Sequence, residues 1–467
     1  MPRVTAAVLS ASNAAALAGS AVAVVMTTVV ARAFGGPDWL AALLVAGAAL
    51  LVFSGFDSIP TRLRNTAFLL FGLTILLAPL ADAPFAAIRR GVFISSQLLA
   101  LISSVLLLAQ CGLQSPRVQR VGASLRGQPP SRRYLSFTIA SQLYSSTLSM
   151  AGAHIMLLMA APPEDPPGAG KTEAVLAVTR GFAVAGFWSP VFGNMTILLA
   201  LYPSLRWGEI FPMGVMLAQV ALTVGIVLNR LERRRAPLPP SATESTRPAD
   251  ILLDGLPLLL AMMIFMGVIL IVGRLLALPI SATIVMLVPP TALLIHLTTG
   301  APGARWQNAR RNIGASVRSY PRLASEALLF MAAGCAGSIM ADAFPPHWTL
   351  QIGTLLNGQP FLGVAFLIFS IMGIALAGVH PVLTSVFLAS TITPEVLGLP
   401  AVAHMGALLT GWGLSAVLTP FSVLSLTAGR YAGTSLYQIS FGMNWRWALV
   451  TSLVAGVLLT IVAAVAG

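Results

Sequence analysis

The stretch GFAVAGFWSPVFGNMTILLAL, residues 181–201, is apolar enough to lie in a membrane, but it carries a Ser-Pro pair at 189–190. Proline removes a backbone donor and clashes with the preceding helical turn, so we expect the helix to be split there. A similar stretch, GWGLSAVLTPFSVLSLTAGR at 411–430, has Thr-Pro at 419–420. Backbone groups freed in hydrocarbon must be satisfied by protein, water or ligand. The two breaks therefore predict an enclosed polar site inside the membrane.

The composition of the whole chain agrees with a membrane location. The 467 residues are 57% hydrophobic and only 9% charged, whereas about 25% of residues are charged in ordinary globular proteins. Apolar runs long enough to span a bilayer recur along the chain, and they are continuous rather than alternating, which favours helices over a barrel. We predict an all-α polytopic membrane protein with about 10–12 transmembrane segments in two related halves, some of them interrupted or re-entrant.

The basic residues indicate how the chain is oriented. The formal net charge is +13, and 15 of the 27 basic residues lie in three segments, 111–133, 230–250 and 301–322. Cytoplasmic loops carry such an excess of arginine, so we place all three in the cytoplasm and expect a lipid bilayer, not nucleic acid, as the partner. Four crossings before the first of these loops put the N-terminus in the cytoplasm. The Ala-rich composition with a single lysine is typical of a GC-rich genome, and we expect a bacterial inner membrane.

Apolar segments and polar loops divide the chain into four regions. Region 1–110 contains four apolar runs, near 12–33, 38–55, 66–82 and 92–110. Region 111–229 is predicted to be a first repeat-like unit with broken helices. The polar, Pro-rich stretch 230–250 is predicted to be a cytoplasmic linker. Region 251–467 is the second membrane half with broken helices, and its apolar segments are 251–273, 275–300, 323–343, 361–391, 399–431 and 446–466.

Short matches between the halves indicate an internal duplication, as in many transporters. Ala-Ser-Gln at 140–142 recurs as Ala-Ser-Glu at 324–326, an offset of 184 residues. The Ser-Pro and Thr-Pro pairs are offset by 230 residues, so the second half would need an insertion, which 361–391 could hold. On this pairing the segments 134–160 and 323–343 are the two candidate helical hairpins. Chance matches among common small residues are the alternative.

Small polar residues surround both breaks and form the predicted substrate site. A half-helix that begins at a break points unpaired N–H groups and a partial positive charge into the membrane, where they can bind an anion. The alternative is a plain kink whose hydroxyl groups return to backbone carbonyls. The predicted substrate-binding residues are Ser189, Asn194, Thr196, Thr419, Ser422 and Ser425.

This arrangement resembles the ion transporter superfamily, which includes divalent-anion symporters and the large membrane subunits of tripartite carboxylate transporters. The resemblance covers about residues 92–466. It implies a secondary active transporter, a symporter that moves a small carboxylate-like anion with H⁺ or Na⁺. The family's Ser-Asn-Thr tip is absent here, so its ion site is not carried over. Its repeats are inverted in the membrane, whereas both candidate hairpins follow basic loops.

Three titratable residues are candidates for ion coupling. Glu326 lies inside an apolar segment, where a carboxyl group usually marks a proton or cation step. His154, beside Gly152 in the tip of 134–160, and His380, immediately before Pro381, could relay protons or donate to an anion. The alternatives are interfacial exposure for the glutamate and helix–helix hydrogen bonds for the histidines. The other histidines have no partner at helical spacing, so we expect no metal and no cofactor.

Enzyme motifs are missing from the sequence. It has no Walker A loop, no Gly-x-Ser-x-Gly elbow, no HExxH and no paired acidic motif. We therefore expect a protein that is not an enzyme. The alternative is an integral-membrane enzyme or lipid-linked glycan-handling protein without a recognisable motif, which should show acidic, His or Lys residues clustered at one depth. The sequence leaves the oligomeric state, including a homodimer, open.

Overall fold

The computed structural model describes residues 10–113, 116–162, 168–235, 248–299, 303 and 305–466. Within these ranges the regular structure is helical, and ten stretches are long and apolar enough to cross a membrane. The predicted all-α polytopic membrane protein is thereby confirmed. Residues 236–247, most of the predicted linker, lie outside the described residues.

Contacts group the helices into two compact units, Met1–Gly112 with Phe265–Pro345, and Leu113–Ile264 with Pro346–Gly467. This grouping differs from the consecutive regions expected from the sequence. The helices of unit 1 are α1 (Ala11–Ala33), α2 (Leu40–Gly55), α3 (Thr61–Leu77), α4 (Pro84–Leu113), α11 (Ile280–Thr299), α12 (Arg305–Ser319) and α13 (Ala324–Asp342). Those of unit 2 are α5 (Pro116–Arg126), α6 (Pro130–Ala160), α7 (Ala169–Ala185), α8 (Gly193–Leu201), α9 (Trp207–Arg235), α14 (Pro346–Leu356), α15 (Pro360–Leu376), α16 (Pro381–Thr391), α17 (Pro394–Leu397), α18 (Ala401–Leu418), α19 (Val423–Ala432) and α20 (Met443–Ala466), while α10 (Pro248–Leu275) runs from unit 2 into unit 1.

Unit 1 is built around α13, which packs against α2 and α3. Small residues let α4 approach it closely, since a Cβ at Gly91 would lie only 2.7 Å from the Cα of Cys335. Next to this contact, Ser95 Oγ donates to the carbonyl of Phe330 at 2.7 Å. The hairpin predicted at 323–343 is wrong, because α13 is continuous and has no proline or positive φ inside.

Unit 2 contains a helical hairpin within α6, whose tip is Ser149 with φ 48° and ψ −131°. Beyond the tip the chain reverses, because a Cβ at Gly152 would lie 2.5 Å from the carbonyl oxygen of Tyr144. The two arms, 130–148 and 150–160, are packed together. This reversal agrees with the candidate hairpin at 134–160.

A second hairpin is formed by α15 and α16, which contact each other. The turn between them uses Gly378 at φ +94°, and Pro381 starts α16 at a position where its missing N–H is tolerated. Segment 361–391 is therefore a hairpin in its own right, and not an insertion. The 184-residue pairing is wrong, because it matches the first hairpin to the unbroken α13.

After each hairpin comes a broken helix and then a long one. The first set is α7, α8 and α9, and the second is α18, α19 and α20. The apolar stretch quoted from residue 181 misses the start of this helix, because α7 already begins at Ala169. Lys171, Glu173 and Arg180 lower the hydropathy of its first turns, and only their tertiary contacts make burial of that stretch tolerable. Unit 2 thus repeats the order hairpin, broken helix, long helix.

Candidate functional site

The first break separates α7 from α8, with the Ser-Pro pair at 189–190 between them. The Ser189 hydroxyl also accepts a hydrogen bond from the N–H of Val191 at 3.2 Å, which fixes the turn. All three predicted site residues donate to carbonyl groups in the break or at a helix end: Ser189 Oγ to Ser146 O, Asn194 Nδ2 to Gly186 O at 3.1 Å, and Thr196 Oγ1 to Pro190 O at 3.3 Å.

The second break separates α18 from α19 and has the same local chemistry. Thr419 Oγ1 accepts from the N–H of Phe421 at 3.2 Å, as Ser189 does from Val191. The three predicted residues again donate to carbonyls: Thr419 Oγ1 to Ala375 O at 2.9 Å, Ser422 Oγ to Ala416 O at 2.7 Å, and Ser425 Oγ to Thr419 O at 2.8 Å.

The hydrogen bonds decide what these six side chains do. In both breaks the donor hydrogen is used by a backbone carbonyl, and in each break one of these carbonyls, that of Gly186 or Ala416, lacks its helical partner because of the proline. Ala416, for example, has Pro420 four residues later, which offers no N–H. The six residues therefore stabilise the backbone conformation of the breaks. This agrees with the alternative of a plain kink, in which the side chains bond to backbone carbonyls. Their direct contact with a substrate stays a prediction.

A second set of polar atoms in unit 2 is buried and makes no hydrogen bond. Ser145, Thr384 and Ser385 are at most 1% exposed. Leaving a buried polar group unpaired costs about 1–3 kcal/mol, which marks such groups as candidates for ligand contact. Around the breaks and hairpin turns these atoms are Tyr144 OH, Ser145 Oγ, Trp188 Nε1, Thr384 Oγ1 and Ser385 Oγ, and the others in the described part of this unit are Arg133 Nε and Thr451 Oγ1.

Sequence reasoning missed these hydroxyl groups because nothing in the local pattern distinguishes them. Serine and threonine recur in many spans of this chain, and most bond to a carbonyl one turn earlier in their own helix. Ser146 does so with Leu143 at 2.7 Å, whereas its neighbour Ser145 does not. Only the packed structure separates the two.

The helices carrying these groups contact one another within unit 2. α16 of the second hairpin packs against α8, and α19 packs against α6 and α7. α7 and α18 meet where the ring of Phe187 lies beside Gly413, at which a Cβ would be 2.5 Å from the ring. Each hairpin therefore lies next to the broken helix that follows the other hairpin. This crossed packing gathers both breaks and both hairpins in one unit.

The three ion-coupling candidates are divided between the units. His154 lies edge-on to Tyr431 of α19, with ring centroids 5.7 Å apart. His380 caps α16, where its Nδ1 accepts from the N–H of Val382 at 3.2 Å. Glu326 belongs to unit 1, and its buried Oε2 makes no hydrogen bond. The structure thus brings the two histidines into the unit of the breaks and leaves the glutamate in the other unit.

A buried arginine that the sequence analysis overlooked connects α7 to α20. Arg180 is 2% exposed, and its nearest aromatic ring is that of Trp447, 5.5 Å away. No carboxylate of the described residues pairs with it. Its guanidinium instead donates to Asn444 Oδ1 at 2.9 Å, Tyr134 OH at 3.1 Å and Met443 O at 2.9 Å. Arg180 lies one residue before the apolar stretch 181–201, so the sequence analysis did not consider it as a buried charge.

Glu173 is a buried carboxylate, 8% exposed, and it is fully paired. Arg233 binds it through both carboxylate oxygens at 2.6 Å, and Asn229 donates to it at 2.7 Å. Arg133 lies 3.9 Å away. Such a bidentate pair satisfies the charge where a lone carboxylate would be costly, so this residue ties α7 to α9.

The described residues contain no group of three His, Cys, Asp or Glu side chains that could hold a metal ion. His404 is used in a structural link, because its Nε2 donates to the carbonyl of Ile392 at 2.6 Å and its Nδ1 accepts from the hydroxyl of Tyr202. The tautomer follows from the carbonyl, which can only accept.

No protein-family model matches this sequence, and no curated protein matches it. Among solved structures, the chain is similar to the Alcanivorax borkumensis YdaH transporter, whose crystal structure is described as having an unusual topology. The TM-score is 0.50 at 15% sequence identity, and the match covers 86% of this chain and 98% of that chain. At this identity the likeness is one of fold. The protein is thus an α-helical membrane protein with a transporter-like fold.

The hydrogen bonds of the breaks lead to a stability prediction. Thr419→Val keeps the shape of the side chain but leaves the Ala375 carbonyl and the Phe421 N–H without this partner, so we expect the free energy of unfolding to fall by about 1–3 kcal/mol. Thr427→Val is the matched control, because that hydroxyl bonds only to Val423 one turn earlier in α19. Thermal unfolding in detergent compares the two variants. Equal melting temperatures for both would show that the break does not depend on Thr419.

Proposed function

We propose that the protein is a secondary active transporter, a symporter, of a small carboxylate-like organic anion coupled to H⁺ or Na⁺. The observation that carries the proposal is the pair of broken helices in unit 2, which share one hydrogen-bond pattern and pack crosswise with two hairpins. Discontinuous helices that meet in this way form the substrate sites of many transporters. The transporter-like fold agrees with this proposal.

The two sets of elements support an internal duplication. Both begin with a proline, Pro130 in α6 and Pro360 in α15, and the first residues of α8 and α19 are Gly193 and Val423. Each of these pairs is 230 residues apart, as are the two proline breaks. We propose that 130–235 and 360–466 are the two copies. One spacing then relates the starts of the hairpins, the proline breaks and the half-helices that follow them, without the insertion that the sequence pairing needed.

An anion is the ligand class that this arrangement favours. The N-termini of α8 and α19 lie at the breaks, where unpaired N–H groups and the helix dipole attract negative charge. The unpartnered hydroxyl groups of Tyr144, Ser145 and Ser385 add neutral donors, which bind a carboxylate without a buried counter-charge. In this proposal the six residues at the breaks shape the site, and the unpartnered hydroxyls contact the substrate.

For coupling we propose Glu326, with His154 and His380 as further candidates. A carboxyl group enclosed in an apolar segment without a hydrogen bond to its Oε2 is suited to bind and release a proton, or to bind Na⁺. We further propose the bacterial inner membrane as the location, with the N-terminus and the basic loops in the cytoplasm, because of the positive-inside rule.

Uptake by proteoliposomes tests the proposed function. A thermal-shift panel of mono- and dicarboxylates and inorganic anions on the purified protein selects a ligand. We expect the radiolabelled ligand to accumulate only when an inward proton or sodium gradient is imposed. If no organic anion of the panel raises the melting temperature and none accumulates, the proposal of carboxylate transport fails.

The substrate contact is tested with neighbouring serines. Ser145→Ala removes an unpartnered hydroxyl, so we expect the apparent affinity to fall about fivefold, which corresponds to about 1 kcal/mol. Ser146→Ala is the matched control, because that hydroxyl is already satisfied within its own helix. Thr384→Val and Thr391→Val form a second matched pair in α16, since Thr391 bonds to Phe387. Affinity losses of equal size within each pair would exclude the unpartnered hydroxyls as donors to the substrate.

Glu326→Gln tests the coupling role. The amide keeps the shape of the side chain but does not titrate, so we expect gradient-driven uptake to fall about tenfold while exchange of internal for external substrate persists. Glu395→Gln, at an exposed carboxylate of α17, is the control. Gradient-driven uptake that keeps its rate and its pH and sodium dependence in Glu326→Gln removes this residue from the mechanism.

A further inference from the structure

A cavity of about 440 Å³ lies at the C-terminal end of α9, beside the start of α6. Its position follows from the sequence of α9, which is apolar through Leu228 and then becomes polar and strongly basic. The polar end of a membrane span lies at the level of the lipid headgroups. The residues that line the cavity are Arg132, Asn229, Arg230, Arg233 and Arg234.

The charge of this cavity is not balanced by the described residues. The carboxylate of Glu173 is bound by Arg233 through both oxygens at 2.6 Å, so its charge is already compensated. None of the carboxylates in the described ranges lies within 4.0 Å of Arg132, Arg230 or Arg234. Three guanidinium groups around one cavity repel each other, and an anion placed there would relieve this repulsion.

The guanidinium groups also limit the chemistry of that anion. Arginine presents a planar fork of donors that binds phosphate or carboxylate oxygens in pairs, and several arginines around one space suit the tetrahedral phosphate group. Basic pockets at the ends of transmembrane helices commonly bind phospholipid headgroups.

The surface next to the cavity is apolar and exposed. Val227 is 48% exposed and Leu231 is 47% exposed. Residues three and four apart share a face of a helix, so these two side chains lie on the same face as Arg230 and Arg234. The surface therefore has a cationic part, the arginine cavity, and an apolar part at Val227 and Leu231. A ligand with a phosphate group and hydrocarbon chains would contact both parts. A soluble phosphate would use only the first part.

We propose that this arginine cavity binds the phosphate group of an anionic phospholipid. The lipid headgroup occupies the space between α6 and the end of α9, and its acyl chains lie along the exposed apolar face of α9. The cavity includes Arg132 near the start of the first hairpin arm but no residue of the breaks or the hairpin tips, and the proposal does not depend on what the protein transports.

Native mass spectrometry of the full-length protein in detergent tests the site. Dioleoyl phosphatidylglycerol is titrated into the wild-type protein and into the triple variant R132Q/R230Q/R234Q, and we expect the triple variant to bind it about tenfold more weakly. The matched control is R310Q/R311Q/R318Q, which removes the same charge from exposed arginines of α12. Dioleoyl phosphatidylcholine serves as the zwitterionic lipid, and glycerol 3-phosphate as the headgroup without chains.

Loss of phosphatidylglycerol binding in the cavity variant alone, with weak binding of phosphatidylcholine and glycerol 3-phosphate, supports the proposal. Equal losses in both triple variants would show a general effect of surface charge and overturn it. Equal affinity for phosphatidylcholine would also overturn it, and glycerol 3-phosphate binding as tightly as the lipid would assign the cavity to a soluble phosphate. If the triple variant does not fold, the single variants R230Q and R234Q carry the same comparison, because both residues are exposed and unpaired among the described residues.

Discussion

The fold of unit 2 depends on one constraint, that a polypeptide in hydrocarbon must satisfy every backbone carbonyl and N–H group. The prolines at 190 and 420 break this rule locally, since each removes a donor in the middle of an apolar segment. Serine, threonine and asparagine side chains then take over as donors. Because Ser189 reaches the first hairpin and Thr419 reaches α15, satisfying the backbone also fastens each broken helix to a hairpin.

Buried charge imposes a similar constraint on α7. Glu173 of this helix is neutralised by Arg233. Arg180 of the same helix donates to the Asn444 amide oxygen, the Tyr134 hydroxyl and the Met443 carbonyl. These contacts tie α7 to the two long helices, α9 through Glu173 and α20 through Arg180. The helix that leads into the first break is thereby fixed at two positions, Glu173 and Arg180, so the position of the break is restrained. A preorganised site needs such support more than it needs additional donors.

The distribution of hydrogen bonds separates residues that build the site from residues free to act in it. Where every donor is engaged, as at the breaks, a side chain sets the geometry. Where a buried hydroxyl has no partner, as at Ser145 and Ser385, its donor is uncommitted, which is why we propose it as a substrate contact. The same distinction applies to charge, because Arg233 is committed to Glu173 while Arg230 and Arg234 are not.

The sequence by itself determined the membrane class, most of the spans and the positions of both breaks, because hydropathy and proline act locally and are visible in a linear pattern. Gly378 and Pro381, which mark the turn of the second hairpin, are visible in the sequence as well. Only the tertiary structure decided that Ser149 is a hairpin tip, that α13 is unbroken, and that α7 starts at Ala169 with a buried glutamate. Those features depend on partners far away in the chain: Ser189 bonds to Ser146, and Glu173 pairs with Arg233. No local pattern specifies such a partner, because its contribution exists only once the helices have packed.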